Sequence, residues 1–389
     1  MSNGSPRVHH VATLAAIPFV VAVAIALAAA PAGAQDSVPE PSPAPSSAPV
    51  LATVERRSPP PPVAWTEAWR LDVSRGGSAP LVWNDSRILI ASLDRNVHVV
   101  SLDGPKVVWK ETFKGGFEAA PVVTEERIYL AEMRRGARLV ALDRGSQRVL
   151  WAAEAGDLVA PPIVTPDRIY TVSSIGELRA FDEAGVERWL TELETRVTSA
   201  PALLDGTLVV AASNGELYAV DASDGSVRDS THPGAGPVWG HPLVRTDSGT
   251  AIFATLEGLL IEVDDDLQVV QQRSFPSRFY LGPEEVAGDL LLVGHEGTIW
   301  RYDWDGSEIV WHAELPSTLR SLPRISGGVI GIGSLEGVFH LIDLSTGDPL
   351  WQARLDGAIT SRPLAREREF FVFTERGTLY AFRPAGAAR

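Results

Sequence analysis

Short apolar runs separated by polar turns recur along most of this 389-residue chain with a period near 40 residues. The shared motif begins with a small residue, a proline and two apolar residues, and the proline is present in every unit. It continues with an apolar strand, a turn and a second strand. The prolines that mark the units are Pro80, Pro121, Pro162, Pro201, Pro242, Pro283, Pro323 and Pro363. No segment keeps the 3.6-residue period of a helix, so the pattern predicts an all-β fold, an eight-bladed β-propeller.

The turn between the two strands of each unit carries a second regularity. A tight hairpin turn needs a residue with positive φ, for which glycine is best suited and asparagine is the next most tolerant. The predicted turn residues are Asn96, Gly136, Gly176, Gly215, Gly258, Gly297, Gly337 and Gly377. The strands before these turns, such as residues 208–212, are apolar at nearly every position. This is typical of strands that are covered on both faces, as in stacked blades.

Tryptophans predict how the ring closes. Six of them occur in the same phase of the repeat, where they would dock one blade on the next: Trp69, Trp109, Trp151, Trp189, Trp311 and Trp351. No strands of a blade precede Trp69, and the last unit ends without a tryptophan strand. We therefore predict that residues 67–73 supply the outer strand of the eighth blade, so that the propeller spans residues 65–389 and leaves no open sheet edge.

The N-terminal 64 residues have a different character. Residues 1–34 combine Arg7, a long apolar run and a small-x-small pattern, which predicts an export signal. An uncleaved membrane anchor is the alternative, because the apolar run is 20 residues long. Residues 35–64 contain nine prolines and predict an extended, disordered linker. This linker is either a spacer or a simple leader. The rest of the chain is expected in the periplasm or at the outer-membrane periphery.

Charge and composition exclude several function classes. The net charge of −15 argues against nucleic-acid binding and against docking on anionic lipid, so membrane contact would come only through a partner or an uncleaved signal. The chain has no cysteine, which excludes disulfides, thiolate metal sites and lipidation at an N-terminal cysteine. The histidines lack metal-ligand spacing, and no nucleophile-elbow or phosphate-loop motif occurs. We expect no catalytic residue, no metal and no cofactor.

Partner-binding candidates come from breaks in the repeat. Blades 4 and 5 lack the tryptophan of the docking phase and have Arg228 and Gln271 nearby. The loop between these blades carries Trp239, a candidate interface anchor, although it could instead fill the gap between the blades. Arg134 and Arg135 form a basic turn that could meet an acidic partner or simply be solvated.

Several segments resemble the PQQ-like propeller repeat. These include residues 215–221 and 377–382, together with residues 341–351, which end in the Asp-x-x-Thr-Gly-x-x-x-Trp pattern. A signal followed by one eight-bladed propeller is similar to the BamB family of non-enzymatic scaffolds in outer-membrane β-barrel assembly. The resemblance implies a monomeric scaffold that binds proteins of the cell envelope. The β-barrel assembly machinery is one candidate partner. Family members are anchored through a cysteine, which this chain lacks.

The same resemblance leaves two other functions open. Quinone-dependent dehydrogenases are similar in their blades and hold PQQ and Ca²⁺ in the central channel. They also carry a pair of adjacent cysteines and extra segments, for which this chain has no counterpart. The third possibility is a propeller that binds a small molecule or carbohydrate in its channel.

Overall fold

The computed structural model describes residues 64–74, 77, 79–133, 137–234 and 236–386. These residues form 32 β-strands, in eight four-stranded sheets. The described residues include no helix. Each sheet is one blade with antiparallel neighbours, and the eight blades form a ring. The fold is therefore the predicted eight-bladed β-propeller.

The strands of the first four blades have the following bounds. Blade 1 contains β2 (Leu81–Asn84), β3 (Arg87–Ala91), β4 (Asn96–Ser101) and β5 (Lys106–Thr112). Blade 2 contains β6 (Val122–Val123), β7 (Arg127–Glu132), β8 (Arg138–Asp143) and β9 (Val149–Glu154). Blade 3 contains β10 (Ile163–Val164), β11 (Ile169–Val172), β12 (Glu177–Phe181) and β13 (Glu187–Glu192). Blade 4 contains β14 (Ala202–Leu204), β15 (Thr207–Ala211), β16 (Leu217–Asp221) and β17 (Val227–Thr231).

The other four blades repeat this arrangement. Blade 5 contains β18 (Leu243–Arg245), β19 (Thr250–Ala254), β20 (Leu259–Val263) and β21 (Val269–Ser274). Blade 6 contains β22 (Glu284–Val286), β23 (Asp289–Val293), β24 (Thr298–Asp303) and β25 (Glu308–Glu314). Blade 7 contains β26 (Arg324–Ser326), β27 (Val329–Gly333), β28 (Val338–Asp343) and β29 (Pro349–Arg354). Blade 8 contains β30 (Leu364–Arg366), β31 (Glu369–Phe373), β32 (Thr378–Pro384) and β1 (Trp65–Asp72).

The N-terminal strand β1 closes the ring. It pairs antiparallel with β32, from Trp65 opposite Pro384 to Asp72 opposite Thr378, with one irregularity in register between Glu67 and Trp69. This confirms the predicted closure, although the strand begins two residues earlier than expected. Trp69 packs with blades 8 and 1, so the first and last parts of the propeller share one core cluster. Both ends of the ring are therefore joined by hydrogen bonds and by apolar packing.

The core lies between neighbouring blades. Each large apolar cluster draws its side chains from two adjacent sheets, as the cluster of Val209, Phe253 and Ile261 does for blades 4 and 5. The second strands are almost fully buried, whereas the outer strands alternate between exposed and partly buried positions. The sheets are thus covered on both faces, which explains the unbroken apolar runs in the sequence.

Three of the outer-strand tryptophans dock directly on the next blade. Their indole N–H groups donate hydrogen bonds of 2.9–3.1 Å to backbone carbonyls, Trp151 to Glu183, Trp189 to Ala222 and Trp311 to Leu344. The rings lie against glycines of the same turns, where an added Cβ would come within 2.5–2.7 Å: Gly185, Gly225 and Gly347. The ring and the glycine therefore form one contact, in which neither partner can be replaced without adjustment.

The two blades without a docking tryptophan use other side chains. In blade 5, Gln271 donates from Nε2 to the Trp304 carbonyl at 2.8 Å, which replaces the indole hydrogen bond. In blade 4, Asp229 occupies the position that the docking Trp189 has in blade 3. Asp229 pairs with Ala219 in the sheet, as Trp189 pairs with Ala180. The side chain of Leu267 is buried between blades 4 and 5. The buried Leu267 side chain thus takes the place of a docking tryptophan between blades 4 and 5.

The turns between the second and third strands agree with the glycine pattern except in blade 1. Gly176, Gly215, Gly258, Gly297, Gly337 and Gly377 have φ values from 77° to 102°. In blade 1 the prediction for Asn96 is wrong, because the positive φ of 73° belongs to Arg95. The Arg95 N–H bonds to the Ser92 carbonyl, as the Gly176 N–H does to that of Ser173. The turn therefore lies one residue earlier than assigned. Gly136 lies outside the described residues.

Candidate interaction surface

The loops that connect consecutive blades all lie on one side of the ring, together with the turns between second and third strands. We call this side the connector face. The turns between first and second strands, and those between third and fourth strands, lie on the opposite face. Residues 232–242 connect β17 to β18 and place Trp239 on the connector face. Loops held by a rigid scaffold are common carriers of binding residues.

Trp239 is 45% exposed, in contrast to the docking tryptophans. Its ring contacts Tyr280 edge-on, with 5.9 Å between centroids. Tyr280 in turn packs on His295 at 4.7 Å, and the Arg320 guanidinium lies 4.5 Å above the Tyr280 ring. We call Trp239, Tyr280, His295 and Arg320 the aromatic cluster. It joins the loops that lead into blades 5, 6 and 7 with one turn of blade 6.

The backbone around Trp239 is held on both sides. Val238 is buried, forms a β-bridge with Thr255, and its carbonyl accepts a 2.6 Å hydrogen bond from the Thr198 hydroxyl. On the other side, a Cβ at Gly240 would overlap the backbone of Leu281 and Gly282, so the two loops are in direct contact. The indole is therefore exposed on a fixed backbone, and a partner would meet it with little ordering cost.

One exposed ion pair, between Arg278 and Glu296, lies close in sequence to Tyr280 and His295 of the aromatic cluster. Glu296 accepts hydrogen bonds from Ser277 at 2.9 Å and from Arg278 Nε at 2.9 Å. Partial burial raises the pKa of this carboxyl, but the Arg278 and Ser277 hydrogen bonds outweigh burial and lower the pKa to about 2. The ion pair is exposed, as in the polar rim of many protein interfaces. An exposed tryptophan beside a tyrosine and an arginine has the composition of an interface hot spot.

Arg228, the other predicted partner residue in the described part of the chain, does not join this cluster. Arg228 lies at the start of β17, near the opposite face, and its guanidinium pairs with Asp221 and donates to the Thr207 hydroxyl at 2.8 Å. Arg228 therefore lies away from Trp239, with its charge paired within its own blade, and its role in partner binding stays a prediction. Arg134 and Arg135 lie outside the described residues.

Sequence reasoning missed most of the aromatic cluster. Tyr280 and Arg320 are 41 and 81 positions beyond Trp239 and come together only because the blades are arranged in a ring. The sequence carries a signal for Trp239, which departs from the phase of the docking tryptophans. No comparable signal marks Tyr280 or Arg320. Two further apolar side chains, Ile175 and Leu335, are exposed at turns of the same face.

Two acidic turns, at residues 264–268 and 303–306, have a local structural role. The Asp303 carboxylate accepts from the Gly306 N–H at 2.7 Å, and Asp264 accepts from the Gln268 N–H at 2.8 Å. Both are side-chain-capped turns. Within the described ranges, no group of three or more His, Asp or Glu side chains is arranged to hold a metal ion. No helix in that part of the chain is long and apolar enough to cross a membrane.

Comparison with known proteins gives consistent matches over the propeller. A family model described as "Outer membrane protein assembly factor BamB" matches residues 65–157, 129–313 and 295–388. BamB of Yersinia pestis is 22% identical over 360 residues, covering 82% of this chain and 88% of the relative. The crystal structure of BamB from Moraxella catarrhalis has a TM-score of 0.67 at 17% identity, covering 82% of this chain and all of that structure.

Propellers of another function also share the fold. A quinohemoprotein alcohol dehydrogenase from Pseudomonas putida HK5 matches with a TM-score of 0.65 at 12% identity, over 84% of this chain and 77% of that structure. At this identity the likeness shows the fold alone.

Proposed function

This chain belongs to the family of the outer membrane protein assembly factor BamB, and we propose that it acts as a non-enzymatic scaffold in outer-membrane protein assembly. The family model matches nearly all of the propeller, and the Yersinia pestis relative described above is named as an outer membrane protein assembly factor. The work of such a scaffold is binding, so its function rests on an exposed surface with a fixed shape.

The observation that carries this proposal is the aromatic cluster on the connector face. Trp239 is large and half exposed, and it is held by a backbone that is fixed on both sides. Rigid aromatic side chains provide contact area with little loss of conformational entropy, which is why tryptophan is enriched in binding hot spots. We propose that a partner protein covers Trp239 and Tyr280 and contacts the exposed Arg278–Glu296 pair.

The proposed partner is a protein of the cell envelope, within the machinery that assembles outer-membrane β-barrels. We place the propeller in the periplasm or at the periphery of the outer membrane, in line with the export signal predicted for residues 1–34. The linker predicted for residues 35–64 would act as a spacer that holds the propeller away from its point of attachment. Both segments lie outside the described residues, apart from Ala64. A monomer is proposed because the ring is closed by its own N-terminal strand.

The proposal can be tested by affinity capture from solubilised envelopes. The full chain with a C-terminal tag is expressed in its native host, and captured proteins are identified by mass spectrometry. The barrel protein of the assembly machinery should be enriched, and Trp239→Ala should lower its recovery about tenfold or more, as for a hot-spot residue. Leu150→Ala is the matched control, because Leu150 is 50% exposed but lies on an outer strand.

Two outcomes would count against the proposal. Capture without any component of the assembly machinery would contradict the scaffold function itself. Recovery that falls equally with Trp239→Ala and Leu150→Ala, or with neither, would remove the aromatic cluster as the binding surface.

A further inference from the structure

The repeat breaks at one more position, close to the axis of the ring. The residue after the unit proline is apolar in six blades: Leu81, Val122, Ile163, Ala202, Leu243 and Leu364. In the two adjacent blades 6 and 7 it is Glu284 and Arg324. The residue before the proline is Ala in blades 1, 2 and 4, but His241 in blade 5 and Arg362 in blade 8. Four charged or titratable residues thus replace small or apolar ones within half of the ring.

The fold brings these side chains together. Glu284 Oε2 lies 2.6 Å from Arg362 Nη2, and Glu284 Oε1 lies 3.2 Å from His241 Nε2. Arg362 also donates from Nε to the Pro323 carbonyl at 3.1 Å. Arg362 and Glu284 belong to blades 8 and 6, so the ion pair reaches across blade 7. We call His241, Glu284, Arg324 and Arg362 the channel-mouth cluster.

The position of the cluster follows from the topology. The first strands of neighbouring blades contact one another, as β26 contacts β30 and β2 contacts β6, so these strands surround the axis. The cluster residues stand at the beginning of first strands or just before them, directly after the connecting loops. The cluster therefore lies where the central channel opens on the connector face.

The charges of the cluster are not balanced. One carboxylate, Glu284, faces two guanidinium groups and an imidazole. Burial alone would raise the pKa of Glu284, but the His241 hydrogen bond and the Arg362 charge outweigh it and hold the pKa below its ordinary value. Burial and the charge of Arg362 lower the pKa of Arg324, and the attraction of Glu284 offsets this only in part.

Arg324 is the member without a partner of its own. Among the residues that the structure describes, its guanidinium makes no hydrogen bond and no ion pair. Because two guanidinium groups face one carboxylate, the cluster carries at least one excess positive charge, although the chain as a whole has a net charge of −15. A half-buried guanidinium gains most from an oxyanion that accepts two hydrogen bonds.

The channel-mouth cluster is continuous with the aromatic cluster. His241 is two residues from Trp239, and Glu284 is four residues from Tyr280. The two loops touch through Gly240 and Gly282. A partner that covers Trp239 would therefore reach the channel mouth without leaving the connector face.

We propose that the channel mouth binds a carboxylate from an acidic peptide segment of the partner, through Arg324 and Arg362. This inference rests on the proposed function, since the same partner would cover Trp239. The incoming carboxylate would accept hydrogen bonds from Arg324 and share Arg362 with Glu284. It would thereby supply the negative charge that the cluster lacks.

A direct test uses NMR signals of the arginine Nε–Hε groups in the full-length protein. The probe is a capped glycine peptide that contains three aspartates, and its asparagine counterpart is the control. The acidic peptide should shift the Arg324 and Arg362 signals to saturation, and the asparagine peptide should not. Arg324→Gln should weaken binding about tenfold, while Arg324→Lys should retain part of it. Equal shifts with both peptides, or none, would overturn the inference.

Inorganic phosphate and acetate distinguish the source of the anion. Saturation by either ion at the same concentration as the acidic peptide would indicate a site for free anions, which would overturn the peptide assignment. Weaker binding of both ions, with the peptide effect retained, supports it.

The capture experiment separates this inference from the proposed function. Arg324→Gln should lower recovery of the barrel protein severalfold, and added salt should reduce this difference. If Trp239→Ala lowers recovery but Arg324→Gln does not, the scaffold proposal stands and the channel-mouth site is refuted. If wild-type protein captures no assembly component, the scaffold proposal itself fails, and with it the assignment of the peptide to that partner.

Discussion

The closure of the ring by β1 makes a quantitative prediction about Trp65. This side chain is 5% exposed, its ring lies 5.6 Å from that of Phe370, and it belongs to the apolar cluster that joins blades 7 and 8. Trp65→Ala would leave a cavity at the point where the N-terminal strand is held. Trp239→Ala is the matched control, because it is the same substitution at an exposed tryptophan.

The expected size of the effect follows from burial. Replacement of a buried tryptophan by alanine lowers the free energy of unfolding by about 3–5 kcal/mol. With an unfolding entropy of about 2.1 cal/mol/K per residue over about 320 residues, this lowers the melting temperature by about 4–7 °C. The control, a surface substitution worth about 0.5 kcal/mol, should lower it by about 1 °C.

Differential scanning calorimetry of the two variants and of wild type measures these shifts. Deletion of residues 35–64 should leave the melting temperature unchanged, whereas deletion of residues 35–76 should lower it by more than Trp65→Ala does. If the two tryptophan variants melt at the same temperature, or the two deletions do, the N-terminal strand is not part of the cooperative ring.

Two further predictions concern docking and pH. Gly225→Ala should lower the free energy of unfolding by about 1–3 kcal/mol more than Gly206→Ala does. Both glycines have positive φ, but only a Cβ at Gly225 would meet a ring, that of Trp189, at 2.7 Å. Equal losses of stability in chemical denaturation would contradict the docking role of Trp189. Because the pKa of Glu284 is lowered in the folded state, its stabilising contribution is present above pH 4.5 and is lost as the pH falls. The difference in melting temperature between wild type and Glu284→Gln should therefore shrink from pH 7 to pH 3, and a constant difference would show that the Glu284–Arg362 pair does not stabilise the fold.

The fold could be predicted from the sequence because each blade repeats the same residue pattern. Proline recurs in all eight units, and glycine and tryptophan recur in most of them at a fixed position, each for a separate physical reason. Closure could be predicted because Trp69 keeps the phase of the repeat in front of the first complete blade. The error at Asn96 arose where glycine is absent, since a tight turn can impose positive φ on Arg95, whose identity gives no sign of it.

The binding surface was only partly accessible. Trp239 stood out because it departs from the docking phase, but Tyr280 and Arg320 meet it through the ring arrangement, which no local pattern encodes. The pairing of Arg228 with Asp221 could not be predicted, because a surface arginine has the same sequence signature whether or not an aspartate of its own blade pairs with it. Glu284 and Arg324 can be recognised in the sequence as charged residues at apolar positions of the repeat. Only the fold shows that they belong to one cluster with His241 and Arg362.

Site-specific photo-crosslinking in the native host tests whether the partner binds to the connector face. A photoreactive amino acid is placed at Trp239 or at Asp266, an exposed position in a turn of blade 5 on the opposite face. We expect a crosslink from position 239 to the barrel protein of the assembly machinery and none from position 266. Crosslinks of equal yield from both positions, or a crosslink from position 266 alone, would contradict it.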